Sequence, residues 1–289
     1  MSSEIWQSQN FIDNPRLVTT LLDMTDVGIN DLVVEVGPGT GVITKQLAER
    51  AGTIIAIEQD SDLARKLTHN VAKQHPNVQV VWSNFLDYPL PNQEYKVVAN
   101  IPFNLTADII RKLFMGRENQ PDSAYLIMQK EAAEKFTGEP KATLISILLG
   151  ISFKIATLNR INRKSFVPTP RVDAAFVTFI RRDEPLVNES EIGDFQDFVA
   201  YGYVHIQRGR PILDSFDNIF TSTQRKIMER KLDLEGVGIG DLDITHWVSL
   251  FETFKKYAPQ DRKIIIRGAM VKLTKEQSQL PKEHRTRHW

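Results

Sequence analysis

Short apolar runs alternate with amphipathic segments along the first 180 residues, and this alternation limits the fold more than any other feature. The runs are rich in Val and Ile and bounded by polar or turn residues, as buried strands are: 31–37, 53–59, 78–84, 95–101 and 123–129. Helix-like segments lie between them near 42–50, 61–74 and 105–115. The alternation predicts an α/β fold with a doubly wound, Rossmann-like sheet. A run at 172–182 is a candidate late strand, in either direction.

The pattern changes after residue 181. The stretch 182–191 is polar, contains a proline and has no apolar period, so we predict a domain boundary there. The two expected domains are 1–184 and 185–289. Four amphipathic segments beyond the boundary indicate that the second domain is small and all-helical. The last dozen residues, SQLPKEHRTRHW, are polar and predict a flexible tail.

Composition and charge exclude several classes of protein. The chain has no cysteine, which excludes disulfides and zinc–thiolate sites, and no metal site is predicted. No apolar run approaches the roughly 18 residues that cross a bilayer, and the N-terminus lacks the basic and apolar regions of a signal peptide. We therefore expect a cytoplasmic protein without membrane contact, with a monomer as the default. The net charge of zero permits a nucleic-acid partner without requiring one.

A glycine-rich loop directly follows the first of these strands. In the stretch EVGPGTG, the close spacing of Gly37, Gly39 and Gly41 allows a tight turn and brings backbone N–H groups against a ligand. No Gly-Lys-Ser/Thr follows, which excludes a Walker loop, and the final glycine of the dinucleotide pattern is missing. The loop therefore predicts a cofactor site of another kind.

Two glutamates narrow the choice of cofactor. Glu35 places a carboxylate where a cationic ligand could use it and a pyrophosphate would be repelled. Glu58 ends the second strand, where a carboxylate accepts hydrogen bonds from both ribose hydroxyls of a bound nucleoside. A sulfonium beside a ribose describes S-adenosylmethionine better than NAD.

The tetrad Asn100-Ile101-Pro102-Phe103 ends the fourth strand, where doubly wound folds hold their active sites. An exocyclic adenine amine is a poor nucleophile because its lone pair delocalises into the ring. The Asn100 side-chain oxygen and the Ile101 carbonyl can accept its two hydrogens, and Pro102 fixes the turn. Phe103 offers an aromatic face to a base taken out of its stack. The tetrad predicts methyl transfer to adenine N6, chiefly by alignment of the reacting groups.

Together these motifs resemble the rRNA adenine N6-methyltransferases, which join the Erm-type macrolide-resistance enzymes and the small-subunit dimethyltransferases. The motifs occur in family order: Ser8-Gln9-Asn10-Phe11, Glu35 to Gly41, Glu58, Asn100 to Phe103, and Phe166-Val167-Pro168-Thr169-Pro170. The tetrad followed by Ala107 to Lys112 is closer to the Erm branch, which acts on 23S rRNA and implies antibiotic resistance. Met128 to Glu134 resembles the small-subunit branch, so both remain open.

The resemblance also implies roles for single residues. Gln9, Asn10 and Ile12 would close over the cofactor, and Phe166 would form a second aromatic wall near the target base. The family usually has an acidic residue after the third strand that binds the cofactor adenine. This chain has Asn84 there, whose amide oxygen could accept the same bond, and Asp87 is the alternative.

With this function, 1–184 is the expected S-adenosylmethionine-dependent catalytic domain and 185–289 the expected helical RNA-binding domain. Basic residues near the motifs are the candidate RNA contacts. The first choices flank Phe166 in the sequence: Arg160, Arg163, Lys164 and Arg171. The second choices lie after the tetrad and in the second domain: Arg111, Lys112, Arg208 and Arg210. Surface charge without function is the alternative for each. For the whole chain, the alternatives are a small-subunit enzyme, a non-catalytic nucleic-acid-binding relative of the mitochondrial transcription factor kind, and a small-molecule or protein methyltransferase.

Overall fold

The computed structural model describes residues 10–116, 119–206 and 209–279. The strands in these ranges are β1 (Phe11–Ile12), β2 (Leu32–Val36), β3 (Thr53–Glu58), β4 (Val78–Trp82), β5 (Lys96–Asn100), β6 (Ser123–Gln129), β7 (Phe153–Ile161), β8 (Phe166–Val167) and β9 (Ala174–Arg181). The α-helices are α1 (Pro15–Leu22), α2 (Val42–Ala48), α3 (Ser61–Leu67), α4 (Thr106–Phe114), α5 (Lys130–Thr137), α6 (Leu144–Gly150), α7 (Ile192–His205), α8 (Ser222–Lys231), α9 (Ile244–Tyr257), α10 (Gln260–Lys263) and α11 (Ala269–Gln279).

Seven strands form one sheet in the order β4-β3-β2-β5-β6-β9-β7. The first five in this order are parallel, and β9 is antiparallel to β6. Strand order reverses between β2 and β5, so the loops that follow these two strands lie side by side at the carboxyl edge. The mixed sheet with flanking helices and a helical C-terminal region confirms the predicted fold class. It also explains why the glycine loop and the tetrad meet, although about sixty residues separate them.

The sheet extends beyond the strands that the sequence predicts. β7 escaped prediction because the polarity of its residues does not follow their burial: Ala156 and Leu158 lie on the exposed face, while Thr157 and Asn159 are half-buried. The pair β1 and β8 also escaped, since two residues are too few to give a pattern. The late strand predicted at 172–182 is β9, and its direction is antiparallel.

The chain divides into two compact units, one of residues up to 133 with 154–181 and one of 134–153 with 182 onward. In the first unit, apolar residues of the sheet pack with those of α1, α2 and α3. In the second, Phe198 stacks on Phe216 at 4.7 Å and meets Trp247 edge-on at 6.1 Å within an aromatic core. Gly202 is required there, because a Cβ would lie 2.7 Å from the Trp247 ring.

The last amphipathic segment is not one helix, as its pattern indicates, but two. Gly268 adopts a φ of +76° and interrupts it between α10 and α11. The Asp197 carboxylate accepts the N–H groups of Gly268 at 2.7 Å and Met270 at 2.9 Å, which satisfies the start of α11. Within the described ranges, none of the helices has the length and hydrophobicity to cross a membrane. The predicted tail lies mostly outside the described residues.

Candidate active site

The glycine loop is built on left-handed backbone. Gly37, Gly39 and Gly41 have φ values of +66°, +57° and +81°, which side chains with a Cβ rarely adopt. The Gly37 N–H donates to the Ile57 carbonyl at 3.0 Å, which fixes the loop against the end of β3. A Cβ on Gly41 would lie 2.5 Å from Leu67 of α3. The loop is therefore held in one shape by the strand and helix that flank it.

Glu58 reaches this loop from the end of β3. Its carboxylate is buried and accepts the Gly39 N–H at 3.0 Å and the Asp60 N–H at 2.9 Å. Burial raises the pKa of Glu58 despite these hydrogen bonds. Each carboxylate oxygen keeps a second lone pair, so the group is oriented and still able to accept further hydrogen bonds.

Glu35 lies in β2 immediately before the loop and is fully buried. Neither carboxylate oxygen has a hydrogen-bond partner among the described residues, and the Thr44 hydroxyl is also unpartnered. Burial, together with the negative charge of Glu58, raises the pKa of Glu35 to about 8. The nearby Thr44 hydroxyl has a smaller, opposite effect and lowers this pKa. A buried, unsatisfied acid beside a ligand loop is costly to the fold and marks a place where a cation or donor would be bound well.

The tetrad lies across from the loop at the end of β5. The Asn100 Nδ2 donates to the Asn10 carbonyl at 2.7 Å, while its Oδ1 is buried without a partner. The Ile101 N–H donates to the Ile127 carbonyl at 3.1 Å, which continues the ladder between β5 and β6 past the last strand residue. Pro102 follows at the rim, about 4 Å from where a Cβ of Gly37 would be. Asn100 thus presents an acceptor oxygen of fixed orientation next to the loop.

Two aromatic side chains adjoin the tetrad, with different exposures. Phe103 is half-buried, and its ring meets Phe166 edge-on with centroids 6.3 Å apart. Phe166 is only 1% exposed and belongs to the core of the first unit. In this structure Phe166 packs against the Phe103 ring and has almost no exposed surface of its own.

The segment before α1 closes one side of the site. β1 pairs with β8 through Phe11 with Val167 and Ile12 with Phe166, and Ile12 is buried. The Phe11 ring packs so closely on the loop that a Cβ on Gly39 would lie 2.4 Å from it. Phe11 is a residue of the site that the sequence analysis did not select; its place beside Asn10 in the motif was the available signal. Gln9 lies outside the described residues.

Asn84 is engaged in a local turn. Its Oδ1 accepts the Leu86 N–H at 3.1 Å, and its Nδ2 donates to the Asp87 carboxylate at 2.8 Å. Asn84 and Asp87 are therefore joined as one exposed polar pair. The predicted acceptor oxygen is already used once, which leaves one lone pair for a ligand.

A basic cavity of about 440 Å³ lies beside β8. It is lined by Lys130, Arg163, Lys164 and Arg171, together with Glu131 and Asp173. The Asp173 carboxylate accepts the Arg163 N–H at 2.9 Å, and the Arg163 guanidinium donates to the Arg171 carbonyl at 3.1 Å. Three predicted RNA contacts are thus gathered around one cavity, and Lys130 joins them. Arg160 is exposed nearby in sequence, at the end of β7.

The remaining basic candidates differ in availability. Lys112 donates to the carbonyls of Leu86 at 2.8 Å and Tyr88 at 2.5 Å, and burial lowers its pKa. Its ammonium group holds the turn after β4, so the structure does not offer it as a surface cation. Arg111 pairs with Asp108 at 2.9 Å, and Arg210 approaches Asp214 at 4.0 Å. Arg208 lies outside the described residues.

Comparison with known proteins matches most of this chain to a known family. A family described as "Ribosomal RNA adenine dimethylase" matches residues 4–256. An rRNA adenine N-6-methyltransferase of Bacillus licheniformis is 28% identical over 254 residues, 87% of each chain. A ribosomal RNA small subunit methyltransferase A of Mycoplasmopsis synoviae is 28% identical over 84% of this chain and 93% of its own.

A solved structure shares the fold. The crystal structure of the 23S rRNA methyltransferase ErmE superposes with a TM-score of 0.78 at 24% identity, over 85% of this chain and all of that one. At this identity the likeness establishes the architecture. A protein named for 23S rRNA therefore shares this chain's fold, and a protein named for the small ribosomal subunit resembles it in sequence.

Proposed function

This chain belongs to the ribosomal RNA adenine dimethylase family, a family of rRNA adenine N6-methyltransferases, and on that premise we propose that it methylates N6 of one adenine in 23S rRNA with S-adenosylmethionine as the methyl donor. The enzyme would add one methyl group or two, and a second transfer requires that the methylated adenine binds again in the site. An rRNA substrate requires a compartment that holds ribosomes or their precursors, which the expected cytoplasmic location satisfies.

The observation that carries the proposal is the unpartnered Oδ1 of Asn100. A buried amide oxygen without a hydrogen-bond donor is costly, and active sites are where such groups persist. An N6 amino group would supply that donor. Accepting its hydrogen draws the nitrogen lone pair out of the ring and toward the methyl group. The Asn10 carbonyl, which holds the Asn100 Nδ2, keeps the oxygen pointed at the substrate.

The residues around the loop fit S-adenosylmethionine. When bound, this cofactor supplies an electrophilic methyl group on a sulfonium. Glu58, held by the Gly39 and Asp60 N–H groups, would accept the ribose hydroxyls, and Gly37 allows close approach of the backbone. Asn10 and Ile12 would close the site, and the Asn84–Asp87 pair would meet the adenine. Glu35 would favour the cationic end of the ligand, because a positive charge bound nearby would stabilise the ionised form of its buried carboxyl group.

The substrate base would lie on Phe103, with Phe166 behind that ring. The basic cavity lined by Lys130, Arg163, Lys164 and Arg171 would hold a flanking phosphate, and Arg160, exposed at the end of β7, is a further candidate contact. Backbone contacts of this type position the RNA, while the tetrad selects the amine.

The preference for 23S rRNA rests on the sequence that follows the tetrad, Ala107 to Lys112, which is closer to the Erm branch. Resistance to macrolide-type antibiotics would follow from that target. The small-subunit adenine pair is the second candidate, favoured by the stretch Met128 to Glu134 and by the small-subunit relatives.

Radiolabelled methyl transfer tests both candidates. Purified full-length protein is incubated with labelled S-adenosylmethionine and unmodified 23S or 16S rRNA, and primer extension then locates the modified adenine. Labelling of 23S rRNA alone is the expected result, and labelling of 16S rRNA would support the second candidate. Absence of transfer to either rRNA, with cofactor binding intact, would refute the proposed function.

A further inference from the structure

The helical unit contains a groove outside the site described above. It has a volume of about 780 Å³ and lies between α8 and the C-terminal end of α9. The Gln224 side chain donates to the Tyr257 carbonyl at 3.1 Å, so the two helices are tied together at this point. Phe220 and Met228, both buried, belong to the groove's apolar floor.

The rim of the groove carries two acidic and three basic side chains, and within the described ranges only one of the basic side chains has carboxylate partners. Lys255 donates to Glu191 at 2.8 Å and to Glu252 at 2.7 Å, so both acids of the rim are bound to the same lysine. Lys231 and Lys256 also line the groove and form no ion pair with a carboxylate in the described part of the chain. No carboxylate of the described residues neutralises either cation, so both can meet an anionic ligand.

An exposed aromatic ring stands beside these cations. Tyr257 is 51% exposed, and the Lys256 ammonium lies 5.2 Å from the centre of its ring. Ile227, 40% exposed, adds apolar surface at the opposite helix. Stacking surface with adjacent unpaired cations is the combination that proteins use to bind unpaired nucleotides, in which the base stacks and the cation meets the phosphate.

We propose that this groove is a second RNA site, which binds an unpaired nucleotide segment of the rRNA substrate through stacking on Tyr257 and phosphate contacts from Lys231 and Lys256. The inference rests on the proposed rRNA substrate and gives the helical unit a defined part in binding it. A duplex fits the groove poorly, because its bases are stacked on each other and present no face to Tyr257.

The charge contribution is tested by anisotropy with the full chain, a fluorescein-labelled oligouridine and an RNA duplex of matched length. Reversing both charges, Lys231→Glu with Lys256→Glu, should weaken oligouridine binding. It should also reduce the slope of log affinity against log salt by about 1.4, the amount expected for two phosphate contacts to a single strand. The matched control is Lys272→Glu with Lys275→Glu, two exposed lysines of α11 that do not line the groove. It makes the same change in net charge and should bind as the parent protein does.

The stacking contribution is tested at Tyr257. Tyr257→Ala should weaken oligouridine binding roughly tenfold, whereas Tyr257→Phe, which keeps the ring, should retain it. Thermal unfolding followed by circular dichroism checks that each variant is folded.

Three results would overturn the assignment: equal losses in the groove and control pairs, parent-like binding by Tyr257→Ala, or an equal loss with the duplex. Parent-like RNA binding by all groove variants would show that RNA does not occupy the groove. Methyl transfer by the parent protein is measured separately, so its failure identifies an error in the proposed function rather than in the groove.

Discussion

Glu35 and Asn100 are both residues of the site with buried side-chain oxygens that lack hydrogen-bond partners among the described residues, and only Glu35 can ionise. The Glu35 carboxylate is enclosed at the end of β2, with its pKa raised to about 8 by burial. In the unfolded chain the same group ionises near its ordinary value, so the native state holds a proton that the unfolded state loses. The stabilisation from this proton is complete below about pH 4.5 and disappears as the pH rises through about 8.

Replacing Glu35 by Gln should therefore stabilise the apo-protein more as the pH rises. The amide keeps the shape of the side chain without a charge, so the gain should grow from about pH 5 to about pH 8, by at most about 1.4 kcal/mol per pH unit, and then level off. Urea unfolding across this range measures it, with Glu49→Gln, at an exposed position, as the control. A stability difference between Glu35→Gln and the parent that stays constant with pH would contradict the burial argument.

Asn100→Ala should abolish most of the chemistry while preserving the fold. The substitution removes the acceptor Oδ1 and also the hydrogen bond to Asn10. By analogy with the loss of one preorganised group that stabilises a transition state, the single-turnover rate should fall about a hundredfold or more. Asn104→Ala, an exposed asparagine that follows the tetrad, is the control and should react at the parent rate. Single-turnover methyl transfer by Asn100→Ala at the parent rate would remove Asn100 from the mechanism.

At the scale of elements, the site depends on a contact between β1 and the glycine loop. Phe11 is placed on Gly39 by the pairing of β1 with β8, two short strands that are far apart in sequence. The loop itself needs left-handed backbone at three glycines. A change in either element should therefore disturb cofactor binding before it disturbs the core.

Gly39→Ala tests this coupling. The added methyl group would lie 2.4 Å from the Phe11 ring, and φ of +57° strains any residue with a Cβ. Affinity for S-adenosylhomocysteine, measured by calorimetry, should fall at least tenfold, which corresponds to about 1.4 kcal/mol. Combining Gly39→Ala with Phe11→Ala should recover the steric part of the loss and leave the backbone part. Strictly additive losses in the double variant would show that Phe11 does not press on the loop.

The sequence predicts the central strands well because each one is short, apolar and buried on both faces. The sequence also predicts the loop and the tetrad, because each motif is a short run of consecutive residues. It misses what depends on distant pairing: Phe11 against Gly39, and Lys130 beside Arg163. Lys112 illustrates the reverse case, since its charge is visible in the sequence but its two carbonyl partners are not. α6 was missed because its residues are buried on all sides, which leaves no amphipathic period.

For the molecule as a whole, the net charge of zero means that attraction to RNA must come from local clusters rather than from an overall field. From Lys154 to Arg182 the chain has seven basic residues and one acidic residue, and the basic cavity lies within that stretch apart from Lys130 and Glu131. Acidic residues elsewhere balance this excess. RNA affinity should therefore be sensitive to a few positions and insensitive to charge changes at most others.

The last prediction follows from this distribution. Reversing Arg163 and Lys164 together should lower affinity for rRNA and reduce the slope of log affinity against log salt by about 1 to 2, since each phosphate contact contributes about 0.7 to 0.9. Lys45→Glu with Lys66→Glu changes the net charge equally at exposed positions on α2 and α3 and should leave the slope unchanged. Filter binding over a range of salt concentrations measures both. If the two pairs of substitutions reduce the slope equally, rRNA binding depends only on the net charge, and the basic cavity has no special part in it. If only Arg163 and Lys164 matter, the phosphate contact is local, as the geometry of the cavity requires.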